Sequence, residues 1–165
     1  MRQLSMARRR RQRGLTLIEL AIGMVIAAFL MAVAAPFFGD YIRNARLREG
    51  GNALLSETLF AQSEAIKRNA AVRLATNGAS LQVLDVSDAA NPVLLREHTM
   101  SGGVAAPVKS VDFGSEGRPV PFGTNASIDL LLAGMSCSAD TRCPGLRIDA
   151  GGAARLCGNH LSSCP

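Results

Sequence analysis

Hydrophobic and polar positions follow three different patterns along this chain, and each predicts a different element. From Leu15 to Phe38 the sequence is apolar except at Thr16, Glu19, Gly23 and Pro36. The 19 residues from Leu20 to Phe38 carry no charge. At about 1.5 Å per residue, such a helix covers most of a roughly 30 Å hydrocarbon core. The first pattern therefore predicts a membrane-crossing helix.

The second pattern is amphipathic. Leu47, Leu54, Leu55, Leu59, Phe60 and Ile66 recur at spacings near 3, 4 and 7, while Arg43, Arg46, Arg48, Glu49, Glu57, Glu64, Lys67 and Arg68 fill the other faces. This predicts that the helix continues to about Asn69, with the apolar stripe covering a sheet and the charges forming a solvated face. Pro36 removes one helical hydrogen bond and is expected to kink the helix. Gly50-Gly51 is a second weak point, where each glycine costs about 1 kcal/mol relative to alanine and a bend is expected.

Short extended runs make up the third pattern. Val72 to Ala75 and Leu81 to Val86 flank Asn77-Gly78, which reads as a hairpin on a type I′ turn. Further strands are expected over 93–98, 108–113, 128–132, 146–149 and 153–157. Gly102-Gly103, Gly117-Arg118-Pro119 and Gly151-Gly152 mark loops between them. The expected fold class is α+β, a long N-terminal membrane and amphipathic α-helix packed on an antiparallel β-sheet.

Charge changes this picture only through its placement. Lys and Arg number 18 against 13 Asp and Glu, a formal net of +5. Residues 1–14 hold six arginines and no acid, which leaves 12 basic and 13 acidic residues in the remainder. The basic balance thus belongs to a short N-terminal tag, and the positive-inside rule places that terminus in the cytoplasm and the larger part outside. A secretory signal peptide is a poor fit, since its apolar region runs only about 7 to 15 residues and holds no charge. A plain signal anchor gives no reason for Glu19, because an ionised carboxylate at the bilayer interior costs roughly 2.5 kcal/mol or more and calls for a partner.

Cys137, Cys143, Cys157 and Cys164 are spaced by 6, 14 and 7 residues and lack the close Cys-x-x-Cys pairs of structural zinc sites. In an exported region they read as two disulfides, for which three connectivities exist. Proximity along the chain favours Cys137 with Cys143 and Cys157 with Cys164. Each bridge is expected to contribute about 2 to 4 kcal/mol to a region poor in aromatic core residues. The two histidines, His98 and His160, show no metal-ligand or nucleophile spacing. No catalytic residue, metal or cofactor is expected, so the chain reads as a non-enzyme.

The string Arg13-Gly14-Leu15-Thr16-Leu17-Ile18-Glu19-Leu20 resembles the processing site of type IV pilins and type II secretion pseudopilins. Four features agree together: a basic leader, a small residue before the cut, a Glu four residues after the new terminus, and an apolar helix. Leu15 stands where Phe is commonest, which bears on methylation more than on cleavage. The resemblance implies that a prepilin peptidase cuts between Gly14 and Leu15 and methylates the new amine. It also implies that Glu19 pairs with the terminal ammonium of a neighbouring subunit, relieving the buried carboxylate only when docking is in register. Ser63-Glu64-Ala65-Ile66-Lys67-Arg68-Asn69 before the strand at Val72 is similar to the helix end of the GspH/FimT family of minor pseudopilins and minor pilins. Val111-Asp112-Phe113, Gly117-Arg118-Pro119 and Arg155 before Cys157 are similar to the C-terminal half of that family.

The implied organisation is a leader over 1–14, a filament-core helix over 15–38, an amphipathic helix over 39–69 and a disulfide-bearing periplasmic region over 70–165. Implied partners are prepilin peptidase, other major and minor pilins or pseudopilins, the inner membrane and its assembly platform. The implied place is at or near a filament tip. A DNA receptor of natural transformation is the competing class, resting on Arg142, Arg147 and Arg155 with His160 nearby. Three arginines can supply salt-dependent phosphate contacts, but almost no aromatic residue accompanies them for base stacking. The expected role of these arginines is as solvated loop and strand charges.

Overall fold

The computed structural model describes residues 16–164. The chain divides into two compact units, Met1–Phe38 and Gly39–Pro165. One helix, α1 (Leu17–Arg68, 52 residues), runs without interruption through both the apolar run and the amphipathic run. It ends at Asn69, whose φ of 51° puts it in the left-handed region. The Ala70 amide donates to the Ala65 carbonyl and the Asn69 amide to that of Ile66. These two bonds are a Schellman cap, and a short polar side chain tolerates the φ it needs.

Among the described residues nine strands follow: β1 (Val72–Gly78), β2 (Ser80–Asp85), β3 (Val93–Thr99), β4 (Val104–Phe113), β5 (Pro119–Val120), β6 (Ala126–Asp129), β7 (Leu131–Leu132), β8 (Gly145–Ile148) and β9 (Ala154–Cys157). All pairings are antiparallel. The main sheet has the order β3-β2-β1-β4-β5 with β7 on the start of β4, and a second sheet has the order β6-β8-β9. The β1–β2 turn differs from the expected type I′. Asn77 pairs with Ser80, so the two central residues are Gly78 and Ala79. Only Gly78 has a positive φ, 58°, which is the requirement of a type II′ turn. The expected strand over 128–132 is split. Leu130 is fully buried, its amide donates to the Pro144 carbonyl, and the segments on either side join different sheets.

Within the Gly39–Pro165 unit the core lies between α1, the inner face of the main sheet and the second sheet, which adds Ile128, Leu146 and Ile148. Leu47 and Leu54 of the helix meet Val72, Leu74, Leu81, Val83, Val111 and Phe113, all buried. The rest of the helical stripe is not the leucine stripe expected. Leu59 and Ile66 are more than half exposed, whereas Gly50, Gly51, Glu57, Thr58, Ala61, Glu64 and Ala65 are buried. Small residues there let strands and loops approach the helix backbone. A Cβ on Gly50 would lie 2.7 Å from Val104 Cγ1, and one on Gly51 would lie 3.0 Å from Pro144 Cβ. The Gly50-Gly51 pair therefore serves close packing, and α1 stays helical through it.

Candidate functional site

The start of α1 is built by its own first residues. Thr16 accepts a hydrogen bond from the Glu19 amide at 3.3 Å, and the Glu19 carboxylate accepts one from the Thr16 amide at 3.5 Å. This reciprocal pair is a capping box, which satisfies two of the amides a helix leaves open at its N-terminus. It also holds the only carboxylate of the apolar half at the helix start, where the partial positive charge of the helix favours an anion. Thr-x-x-Glu before an apolar run is a sequence signal for this cap, and the expectation for Glu19 had overlooked Thr16 as its companion. The 18 residues from Leu17 to Ala34 have a mean hydropathy of 2.5 and none is buried. Gly14 and Leu15 lie outside the described residues, and Pro36 lies within α1.

Two disulfide-closed loops lie against each other and against Asn44 in the Gly39–Pro165 unit. Cys137 is bonded to Cys143 and Cys157 to Cys164. Asn44 of the helix clamps the first loop: its amide donates to the Asp140 carbonyl at 2.7 Å and its carbonyl accepts from the Arg142 amide at 2.9 Å. Asn159 in the second loop donates to the Ser138 carbonyl of the first at 2.9 Å. The His160 amide adds a bond to the Cys143 carbonyl at 2.8 Å. At the far end of α1, the Gln62 amide donates both to the Gly117 carbonyl at 3.0 Å and to the Gly152 carbonyl at 2.6 Å. These two glycines come from the expected loops Gly117-Arg118-Pro119 and Gly151-Gly152, so one side chain ties both sheets to the helix. Asn44, Gln62 and Asn159 carried no sequence signal, since a lone amide reads as surface until its partners are placed.

Of the three arginines considered for DNA, two adjoin and the third lines a different cleft. Arg147 and Arg155 are direct cross-strand partners on β8 and β9. Each is matched by a carboxylate, Arg147 by Asp129 and Arg155 by Asp149 at 3.7 Å. Arg142 lies instead beside Asn44 and Arg48 in a cleft of about 120 Å³. Among the described residues, no group of three or more His, Cys, Asp or Glu could hold a metal ion.

Not all helical charges are solvated, contrary to expectation. The Glu57 carboxylate is buried and lies 3.1 Å from the Arg96 guanidinium on β3, which stacks 4.9 Å from the Phe60 ring centroid. Glu64, also buried, bonds Arg68 at 2.8 Å and Lys67 at 3.2 Å. The Arg68 bond first, then the Lys67 bond, holds the Glu64 carboxyl below the usual carboxylate range. Across the main sheet Arg73 grips Asp112 with two hydrogen bonds at 2.6 and 2.8 Å, which raises the Arg73 guanidinium further. Each buried carboxylate has a cation, but Glu64 is bonded through both oxygens whereas Glu57 meets Arg96 through Oε1 alone and its Oε2 has no hydrogen-bond partner among the described residues.

A helix whose first half is apolar and unburied, and whose second half is the spine of an antiparallel sheet, is the architecture of a pilin-like subunit. The type IV minor pilin FimU of Pseudomonas aeruginosa superposes with a TM-score of 0.55 at 21% identity, over 70% of this chain and 91% of that one. The minor pseudopilin EpsH from the type 2 secretion system of Vibrio cholerae gives a TM-score of 0.52 at 14% identity, over 68% of this chain and 97% of that one. At these identities the likeness establishes the fold. No curated protein matches the chain. Residues 9–35 match the prokaryotic N-terminal methylation motif, and residues 51–152, more than half the chain, match the family described as type II transport protein GspH. The chain belongs to the GspH family, and its role is that of a minor pilin or pseudopilin, a structural subunit.

Proposed function

We propose that this chain is cut between Gly14 and Leu15 by prepilin peptidase and methylated on Leu15. It then waits in the inner membrane with residues 39–165 in the periplasm before joining a type IV pilus or a type II secretion pseudopilus at or near its tip. The observation that carries this reading is the capping box: the one carboxylate in an unburied apolar helix is held at the helix start, five positions after the proposed cut. In sequence it stands four residues from the amine that cleavage would free. In the membrane the Thr16 bonds offset part of the cost of Glu19. In a filament the ammonium of a neighbour would replace them with a charged partner, and Pro36 would supply flexibility in the helix as it packs.

Intact-mass spectrometry of the unreduced protein from hosts with and without prepilin peptidase tests the processing step. The expected result is a peptidase-dependent loss of residues 1–14, a gain of one methyl group, and four thiol hydrogens missing in both hosts. An uncleaved chain in both hosts would leave a signal-anchored protein and remove the filament role.

A further inference from the structure

Ten arginines lie between Gly39 and Pro165. Seven of them sit within ion-pair distance of a carboxylate. The other three, Arg46, Arg48 and Arg142, have no such partner among the described residues, and all three are exposed. Glu49 and Asp140, the acids nearest to them in sequence, form no ion pair with them. These three arginines share one place. Arg46 and Arg48 lie eight and ten residues after Phe38 in unbroken helix, and Asn44 brings Arg142 beside Arg48. Two residues apart on a helix, Arg46 and Arg48 point to opposite sides. Arg46 lies against the Gly102 turn, and Arg48 lies with Arg142 at the disulfide-closed loops. Together they form a collar around α1.

We propose that this collar binds the phosphates of anionic lipid headgroups in the leaflet from which α1 emerges. The inference rests on the membrane-anchored reading of the apolar helix. Arg46 and Arg48 have their Cα atoms about 12 to 15 Å past the last apolar residue, and the headgroup layer occupies roughly the first 5 to 8 Å of that distance. Helical side chains lean toward the N-terminus, here toward the bilayer, and an arginine stem reaches several ångströms further. Tyr41, exposed between the apolar run and the collar, sits where aromatic side chains mark a membrane interface. The pairing pattern supplies the selective argument. Elsewhere in the domain arginines are neutralised by the protein itself, whereas the three left open are those that chain length brings within reach of lipid phosphate.

The sequence contains one Tyr and no Trp, so Tyr41 emission reports on the collar directly. The full chain would be reconstituted into phosphatidylcholine vesicles carrying a trace of shallow nitroxide-labelled phosphatidylglycerol or of equally labelled phosphatidylcholine. Flotation of the vesicles with the protein tests the anchor separately. The expected result is co-flotation in every vesicle and stronger quenching by labelled phosphatidylglycerol, since an arginine at an anionic surface is worth about a fivefold preference. The preference should vanish in about 0.5 M salt and in the R46Q/R48Q/R142Q variant. The R48Q/R142Q variant, which leaves the Arg46 packing intact, should lose most of it. Co-flotation with equal quenching by the two lipids overturns the collar and leaves the anchor standing. A preference that survives the substitutions also overturns it, and failure to float overturns the anchor and the collar together.

Discussion

The two halves of α1 use the same secondary structure with opposite chemistry. Between Leu17 and Ala34 the helix is apolar but for Glu19 and no residue is buried. Between Leu47 and Ile66 its buried positions include two glycines, a threonine and two glutamates, while Leu59 and Ile66 stay exposed. Hydrophobicity alone therefore does not say which residues the fold covers. In the first half the apolar surface is kept for a surrounding that is not the chain itself, either lipid or other subunits. In the second half, burial follows from the distance of closest approach to the sheet, so small residues and neutralised carboxylates displace leucine.

The sharpest way to break this contrast is to remove the single charge from the apolar half. Glu19→Leu should leave membrane insertion intact and lower incorporation into filaments by on the order of tenfold or more, given the cost of an unmatched charge in lipid. Cross-linking to neighbouring subunits, compared with membrane fractionation, reads both quantities. In the second half, Gly50→Leu forces side-chain atoms into the space held by Val104, Met100 and Leu130. Overpacking of this kind costs about 3 kcal/mol, which a denaturant titration would register.

The buried pair offers a finer test. Arg96→Ala leaves the Glu57 carboxylate buried without its cation and should cost about 2 to 3 kcal/mol. Glu57→Ala leaves an arginine that is 46% exposed and can turn to water, so it should cost clearly less. Equal costs for the two variants would mean that Glu57 is solvated after all.

The smallest effect concerns pH. In the folded chain the Glu64 carboxyl is held below the usual carboxylate range by Arg68 and then Lys67, so its contribution is complete above the ordinary glutamate pKa and is lost as pH falls through the depressed folded one. Asp85 and Glu97 are shifted in the same direction, Asp85 first by the Ser87 amide and Glu97 first by Gln82. Glu64→Gln should lower the neutral plateau of thermal stability and flatten the acid limb below the ordinary glutamate value of about 4.3. Melting curves from neutral to acid pH provide the check.

Much of this was legible in the residues themselves. An uncharged run of 19 residues behind six arginines, and the Gly-Leu-Thr-Leu-Ile-Glu string at their junction, marked the apolar helix, the methylation motif and the pilin-like class, while the Ser63–Asn69, 111–119 and Arg155 motifs pointed to the GspH family. These signals are local: they depend on neighbours in the chain, and a linear pattern records them in full. Strand existence was local in the same sense, because alternation and turn residues identify β1 to β4, β8 and β9 to within a few positions. The type II′ turn, the splitting of 128–132 and the two-residue β5 were not legible, since register and sheet membership depend on partners distant in sequence.

The candidate site divides along the same line. Glu19 and the four cysteines stand out by residue type and spacing. By contrast, Asn44 on the first disulfide loop, Gln62 between two glycine carbonyls and Arg96 on Glu57 are contacts between segments separated by tens of residues. What the sequence determined by itself is which stretch is apolar enough to cross a membrane and which family the chain joins, because transfer from water to hydrocarbon acts on each side chain in turn. Only the tertiary structure decided which charges are matched and which are left open, because a counter-ion stabilises a charge through a few ångströms of space, whatever the length of chain between them.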